Sequence, residues 1–140
     1  MTAKADTPDT SVVVAGLSSW HPDHLAARLA LEAKPQVIAH VLLESYSVLT
    51  RLPAPRRISA ELAWAALNRA FPGTPATLSA ADARHLVATL AASGIGGGAV
   101  YDALVARTAM KAGLRLVTLD KRAQPTYVSV GADFDWLVSP

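Results

Sequence analysis

This chain of 140 residues contains no cysteine. That excludes a disulfide framework, a thiolate metal site and a thiol nucleophile. It also has no apolar run near the ~18 residues that a membrane span requires; the stretch 37–43 is among the longest. The N-terminal Met1-Thr2-Ala3-Lys4-Ala5-Asp6 offers no apolar signal core. Repeats and low-complexity tracts are missing too. The expectation is a cytoplasmic protein without a membrane segment, folded as a single domain over 1–140. Its 51% hydrophobic residues are enough to fill one core.

Acids are scarce as well, 11 in all, and four of them stand where solubility would not place them. Asp9 precedes Thr10-Ser11-Val12-Val13-Val14, and Glu44 follows Val41-Leu42-Leu43. Asp102 lies in Ala99-Val100-Tyr101-Asp102-Ala103-Leu104, and Asp120 ends Leu116-Val117-Thr118-Leu119. A carboxylate among apolar neighbours costs on the order of several kcal/mol unless something compensates it. A hard divalent cation is the natural compensator for four at once. Taken singly, each has an ordinary explanation. Asp9 could cap a helix beginning at Thr10, and Glu44 could pair with Arg51 on a helix surface. Asp102 would favour the positive end of a helix dipole, and Asp120 could begin a turn. The argument rests on their conjunction.

The coarse organisation is an alternation of helices and short apolar strands. A helix is expected over 20–34, opened by His21-Pro22-Asp23 and closed by Pro35. A short buried strand is expected over 36–39, and a helix over 40–52 stopped by Pro53. A loop through Pro53, Pro55, Arg56 and Arg57 follows, then a helix from Ser59 to about Phe71. Pro72-Gly73-Thr74-Pro75 is a turn, and Ser79 with Asp82 resembles a capping box for a helix reaching Gly94. A helix over 99–112 stops at Gly113, with strands over 114–119, 127–130 and 134–138 after it. This pattern predicts an α/β sandwich with a mostly parallel sheet.

Geometry brings two of the acids together. From Asp102 to Gly113 a helix travels roughly 16 Å at ~1.5 Å per residue. From Leu114 to Asp120 a strand returns roughly 20 Å at ~3.3 Å per residue. Asp102 and Asp120 should therefore meet at the carboxyl edge of the parallel strands, where open α/β sheets build their sites.

Formal net charge is +2. With four of the 11 acids neutralised, 7 acids face 13 bases, a surface of about +6 that favours a polyanion. Arg51, Arg56 and Arg57 lie close in sequence, and Lys121 and Arg122 directly follow Asp120. On charge alone, a mixed solvated surface is the ordinary reading.

Four segments then resemble the motifs of a PIN-domain nuclease. They are Asp9-Thr10-Ser11-Val12-Val13-Val14, Leu42-Leu43-Glu44-Ser45-Tyr46, Gly97-Gly98-Ala99-Val100-Tyr101-Asp102 and Leu116-Val117-Thr118-Leu119-Asp120-Lys121-Arg122. The resemblance runs from Asp9 to about Tyr127 and is nearest to the VapC-type toxins of toxin–antitoxin pairs. It implies a three-layer sandwich with a mostly parallel central sheet flanked by helices. It also implies metal-dependent hydrolysis of single-stranded or loop RNA, with Asp9, Glu44, Asp102 and Asp120 as the acidic cluster for Mg²⁺ or Mn²⁺. Ser11 would orient the first aspartate, and Thr118 would assist from the last strand. Arg56, Arg57, Lys121 and Arg122 would bind RNA. A cognate antitoxin and a homodimer are the implied protein partners. The competing class is an inactive PIN-like module that works through protein contacts.

One departure concerns the start. Residues before Asp9 are polar and interrupted by Pro8, which cannot donate to a sheet ladder. Read naively, Val12-Val13-Val14 would be the strand; the resemblance makes it the first turn of a helix. His21, His24, His40 and His85 lack a third ligand at matching spacing and read as structural. Trp20, Trp64 and Trp136 read as packing or interface residues rather than base-stacking platforms.

Overall fold

The computed structural model describes residues 3–138. Three short strands, β1 (Ala5–Pro8), β2 (Leu114–Thr118) and β3 (Phe134–Trp136), pair in the order β1-β2-β3, all parallel. Seven helices accompany them among these residues: α1 (Thr10–Gly16), α2 (His24–Glu32), α3 (Ala39–Arg51), α4 (Ala60–Ala70), α5 (Ala80–Ser93), α6 (Ala99–Ala112) and α7 (Gln124–Val130).

Alternation along β2 sets the layers. Leu114 and Leu116 join a core with Val41, Val105, Ala109 and Tyr127, supplied by α3, α6 and α7. Val117 points the other way, onto Val12 and Ala15 of α1 and Ala27 of α2. Two apolar clusters on opposite faces of one sheet make the sandwich three-layered. The α1–α2 contact is close enough to require Gly16, since a Cβ there would lie 2.5 Å from Leu31 Cδ1. No helix among the described residues is long and apolar enough to cross a membrane.

The polar start forms a strand after all. Pro8 pairs with Val117, and the Asp9 N–H donates to the Val117 carbonyl at 3.0 Å. Successive N–H groups of a strand face opposite sides, so the Pro8 nitrogen is turned away from β2 and its missing donor is not called for. The chain then enters α1, with Asp9 as its N-cap, and Val12–Val14 is helical, not a strand.

Three other expectations are corrected. The helix over 20–34 begins only at His24 and ends at Glu32, because residues 19–23 are spent in turns. The strand over 36–39 is a single parallel bridge between Ile38 and Ala76, and Ala39 already starts α3. Thr7 ties that segment to β1 by donating to the Gln36 carbonyl at 2.7 Å. The strand over 127–130 is part of α7, which has Pro125 in its first turn and Gly131, at φ 87°, as its left-handed cap. A four-residue run with three apolar members fits either period, and here the flanking proline and glycine decide for the helix. The Ser59 and Ser79 caps, the α5 stop at Gly94 and the α6 stop at Gly113 are as expected.

Candidate active site

Four different elements deliver the four acids to one place. Asp9 sits where β1 passes into α1, and Glu44 lies in the second turn of α3. Asp102 is in the first turn of α6, and Asp120 follows the end of β2. All four line one cavity of ≈ 20 Å³, together with Ser11 and Tyr127. The equal and opposite runs of α6 and β2 do bring Asp102 and Asp120 to the same edge.

The floor of this cavity is Asp9, only 4% exposed. Its side chain accepts from the hydroxyls of Ser11 and Thr118, from Tyr127 Oη at 2.8 Å, and more weakly from the Val12 N–H at 3.4 Å. The two smaller hydroxyls are themselves held by backbone. The Leu119 N–H donates to Ser11 Oγ at 2.9 Å, and the Asp120 N–H donates to Thr118 Oγ1 at 2.9 Å. The loop carrying Asp120 is thereby fastened to Asp9 through two hydroxyl relays. Burial pushes the Asp9 carboxyl above its ordinary value, while its hydroxyl donors pull the other way. Tyr127 is raised too, by burial and then by the charge of Asp9, so its phenol stays a donor.

The rim is built differently. Asp102 is half-buried, and among the described residues no donor hydrogen-bonds its carboxylate. Burial, then repulsion from Asp120, Glu44 and Asp9, pushes it up to about 6 against an opposing pull from Arg122. Glu44 does not pair with Arg51. It accepts from His40 Nε2 at 3.1 Å, one turn earlier on α3, and the His40 ring stacks on Tyr101 at 5.3 Å between centroids. Asp120 also serves the turn that follows it, accepting from the Arg122 N–H at 2.9 Å with Arg122 Nε 3.6 Å away. Asp9 and Asp120 thus keep their ordinary capping and turn roles while facing the common cavity.

The donor set suits a hard cation. Four carboxylates surround a space fit for one water-sized species, and each repels the others until positive charge arrives. Among the described residues, no three His, Cys, Asp or Glu side chains are gathered closely enough to hold an ion by themselves. That is compatible with Mg²⁺, which commonly takes one or two carboxylates and completes its six oxygens with water and phosphate.

A second cleft of ≈ 520 Å³ opens from this cavity and shares Thr10, Ser11, Glu44 and Asp120 with it. Arg51 and Arg122 line it, as does Trp20. Of the other bases singled out in the sequence, Arg56 lies over the Trp20 ring at 4.3 Å, and Arg57 donates to the Leu52 carbonyl at 2.8 Å. Lys121 is exposed beside Arg122. Elsewhere, an apolar groove of ≈ 490 Å³ along Pro8, Ala30 and Val117 contains none of the four acids.

Sequence reasoning missed Tyr127 and His40. The former was hidden by the strand reading, since only on α7 does its hydroxyl return to Asp9. The latter carried a signal, because His40 and Glu44 are four apart on one helix. His24 and His21 are structural as expected: His24 Nδ1 lies 2.9 Å from the Ala15 carbonyl, and His21 Nδ1 accepts from the Asp23 N–H at 3.0 Å.

Residues 7–127 match the PIN domain family. Ribonuclease VapC40 of Mycobacterium tuberculosis is 48% identical over 120 residues, spanning 86% of this chain and 90% of that protein. Ribonuclease VapC27 of the same organism is 42% identical over 125 residues, spanning 88% and 90%. In fold, the chain is similar to the crystal structure of FitAcB from Neisseria gonorrhoeae, with a TM-score of 0.65 at 17% identity, covering 92% of this chain and 95% of that one. It is also similar to PAE2754 from Pyrobaculum aerophilum, with a TM-score of 0.59 at 20% identity, covering 95% and 92%. The chain belongs to the PIN-domain family, alongside its VapC members.

Proposed function

We propose that this PIN-domain chain is the ribonuclease toxin of a toxin–antitoxin pair, hydrolysing RNA with the help of Mg²⁺ or Mn²⁺ held at its acidic cavity. The VapC ribonucleases it resembles over most of its length support the activity. The observation that carries the site assignment is the meeting of Asp9, Glu44, Asp102 and Asp120, from four separate elements, at one cavity.

The chain's residues divide the work. Asp9, Asp102, Glu44 and Asp120 form the acidic cluster, of which one or two carboxylates would bind the cation directly and the others through water, and Ser11, Thr118 and Tyr127 keep Asp9 in place. When bound there, a divalent ion would supply Lewis-acid charge at the scissile phosphate and lower the pKa of an attacking water. Arg122, beside Asp120, and Arg51, at the far end of the cleft, attract the RNA backbone. Arg57 and Lys121 add to a basic surface whose hold on RNA weakens with salt. His40 orients Glu44 through its hydrogen bond. A cognate antitoxin and a second copy of the chain are the protein partners in this reading. Exposed Leu25 and Leu29 on α2, with Leu62 and Trp64 on α4, provide apolar surface for them.

The test is RNA cleavage by metal-stripped protein with and without Mn²⁺, for the wild type and Asp102→Asn. Cleavage should require the ion and fall by orders of magnitude in Asp102→Asn, while RNA binding is kept or improved by the loss of a negative charge. Wild-type cleavage rates in Asp102→Asn would refute the site. Binding without cleavage in the wild type would favour the inactive module.

A further inference from the structure

Trp20 stands between two clefts. It lines the ≈ 520 Å³ cleft that opens from the acidic cavity, and also a separate ≈ 390 Å³ cleft whose wall includes Pro55 and Arg56. Arg56 lies over the indole at 4.3 Å and lines only the second cleft. The guanidinium thus packs on one face of the ring from the second cleft, while Trp20 also lines the cleft of the acidic site. The His21 ring, 5.6 Å from that of Trp20 and tilted by 44°, steadies it from one side.

The rest of that cleft has the character of a nucleotide subsite. Val48 and Leu119 give it apolar walls, and Trp20 adds an aromatic side chain to its lining. Arg51 lies seven residues after Glu44 on α3, roughly 10 Å farther along the helix axis, on the same face as Val48. Glu44 and Asp120 line the cleft where it meets the acidic cavity, and Arg51 and Arg122 line it as well, with Asp23 the one further carboxylate in its wall. Its ≈ 520 Å³ falls within the roughly 300–1,000 Å³ of small-molecule sites. A phosphodiester placed at the acids would leave the adjoining nucleotide nowhere else so well matched.

We infer that this cleft receives the unpaired base next to the scissile phosphate, that Trp20 is the surface on which it stacks, and that Arg56 is a positioning residue acting through Trp20. The inference rests on the ribonuclease reading above. The subsite suits the single-stranded or loop RNA that the family resemblance already implies, because a base held in a duplex cannot reach the indole.

The test uses a single-stranded oligoribonucleotide that the wild type cleaves at one mapped bond, with each nucleotide near that bond made abasic in turn. Trp20→Ala should lower kcat/KM on the intact RNA by about 5- to 100-fold, the range of base–aromatic stacking. At one abasic position, next to the cleaved bond, wild type and Trp20→Ala should become nearly equal. Trp20→Phe should retain most of the activity. Arg56→Ala should cost a few-fold alone and almost nothing when added to Trp20→Ala. An equal loss for Trp20→Ala on intact and on every abasic RNA would show a merely structural role and overturn the proposal, as would no loss at all. If the wild type cleaves no RNA, the ribonuclease reading falls by itself. The subsite is then judged by Trp20 fluorescence in the Trp64→Phe, Trp136→Phe protein, where no quenching by the oligoribonucleotide overturns it. Weakened antitoxin capture with unchanged RNA kinetics in Trp20→Ala would assign the cleft to a protein partner and overturn it too.

Discussion

The floor and the rim of the acidic cavity solve the same problem in opposite ways. Asp9 on the floor is almost fully buried, and the protein supplies its compensation as three hydroxyl donors and a backbone N–H. Asp102 on the rim is half-buried, has no such donors, and is pushed up to about 6 by burial and by the carboxylates around it. A preorganised floor holds its geometry without a cation. The rim, where Asp120, Glu44 and Asp9 repel Asp102, is where the proposed cation would relieve that repulsion. Asp9 is placed among hydroxyls and Asp102 among other carboxylates, so the first is shaped in advance and the second is left for an added charge to compensate.

The comparison is broken most severely by Asp9→Ala. That change leaves the Ser11, Thr118 and Tyr127 hydroxyls without their acceptor in a buried place. Unsatisfied buried groups cost about 1–3 kcal/mol each, so the metal-free protein should lose on the order of 3 kcal/mol in denaturant unfolding. Asp102→Ala should leave metal-free stability unchanged or higher at pH 7.5. Equal destabilisation by the two would erase the distinction between floor and rim.

Tyr127→Phe is the next smaller perturbation. It removes one donor from Asp9 and preserves the ring that packs in the core at 2% exposure. A hydrogen bond to a charged group is worth about 1.5–3 kcal/mol, and a loss near the lower end is expected. Unfolding indistinguishable from the wild type would mean that Ser11 and Thr118 alone hold the floor.

The smallest effect should come from His40→Ala. Its partner Glu44 is partly exposed, so stability should change by less than about 1 kcal/mol. The Mn²⁺ concentration needed for half-maximal cleavage should rise a few-fold as Glu44 loses its orientation. An unchanged metal requirement would remove His40 from the site.

How much of this was legible follows from the kind of signal each residue carried. Asp102 and Asp120 could be brought together by counting rises, because α6 and β2 are regular and joined through one glycine, Gly113, whose positive φ reverses the chain. The caps at Ser59 and Ser79 were equally plain, being local. Tyr127 was not legible, because a short apolar run does not reveal its period and a hydroxyl's partner 118 residues away leaves no local mark. The strand at Ala5–Pro8 escaped composition because its orientation, with the Pro8 nitrogen turned from β2, is set by pairing and not by residue type. Trp20 read as a packing residue because nothing in its neighbourhood in sequence announces Arg56 behind it or the cleft before it.

In the proposed site, Asp120, Glu44 and Asp9 repel Asp102 until a divalent cation joins them. A carboxyl whose folded pKa lies above its unfolded value, near 3.9, holds its proton more tightly in the native state. Metal-free stability should therefore be greatest below that value and fall as pH rises through about 6, levelling off above it. The most direct measurement is guanidinium unfolding from pH 4 to 8, with chelator or with saturating Mn²⁺, for the wild type and Asp102→Asn. Asp9, raised as well, leaves part of the decline in both proteins. The predicted result is a decline with pH in chelator that is visibly shallower in Asp102→Asn, and a wild-type gain on adding Mn²⁺ that grows with pH and largely vanishes in the variant. Identical declines in the two proteins, or the same Mn²⁺ gain in both, would contradict it.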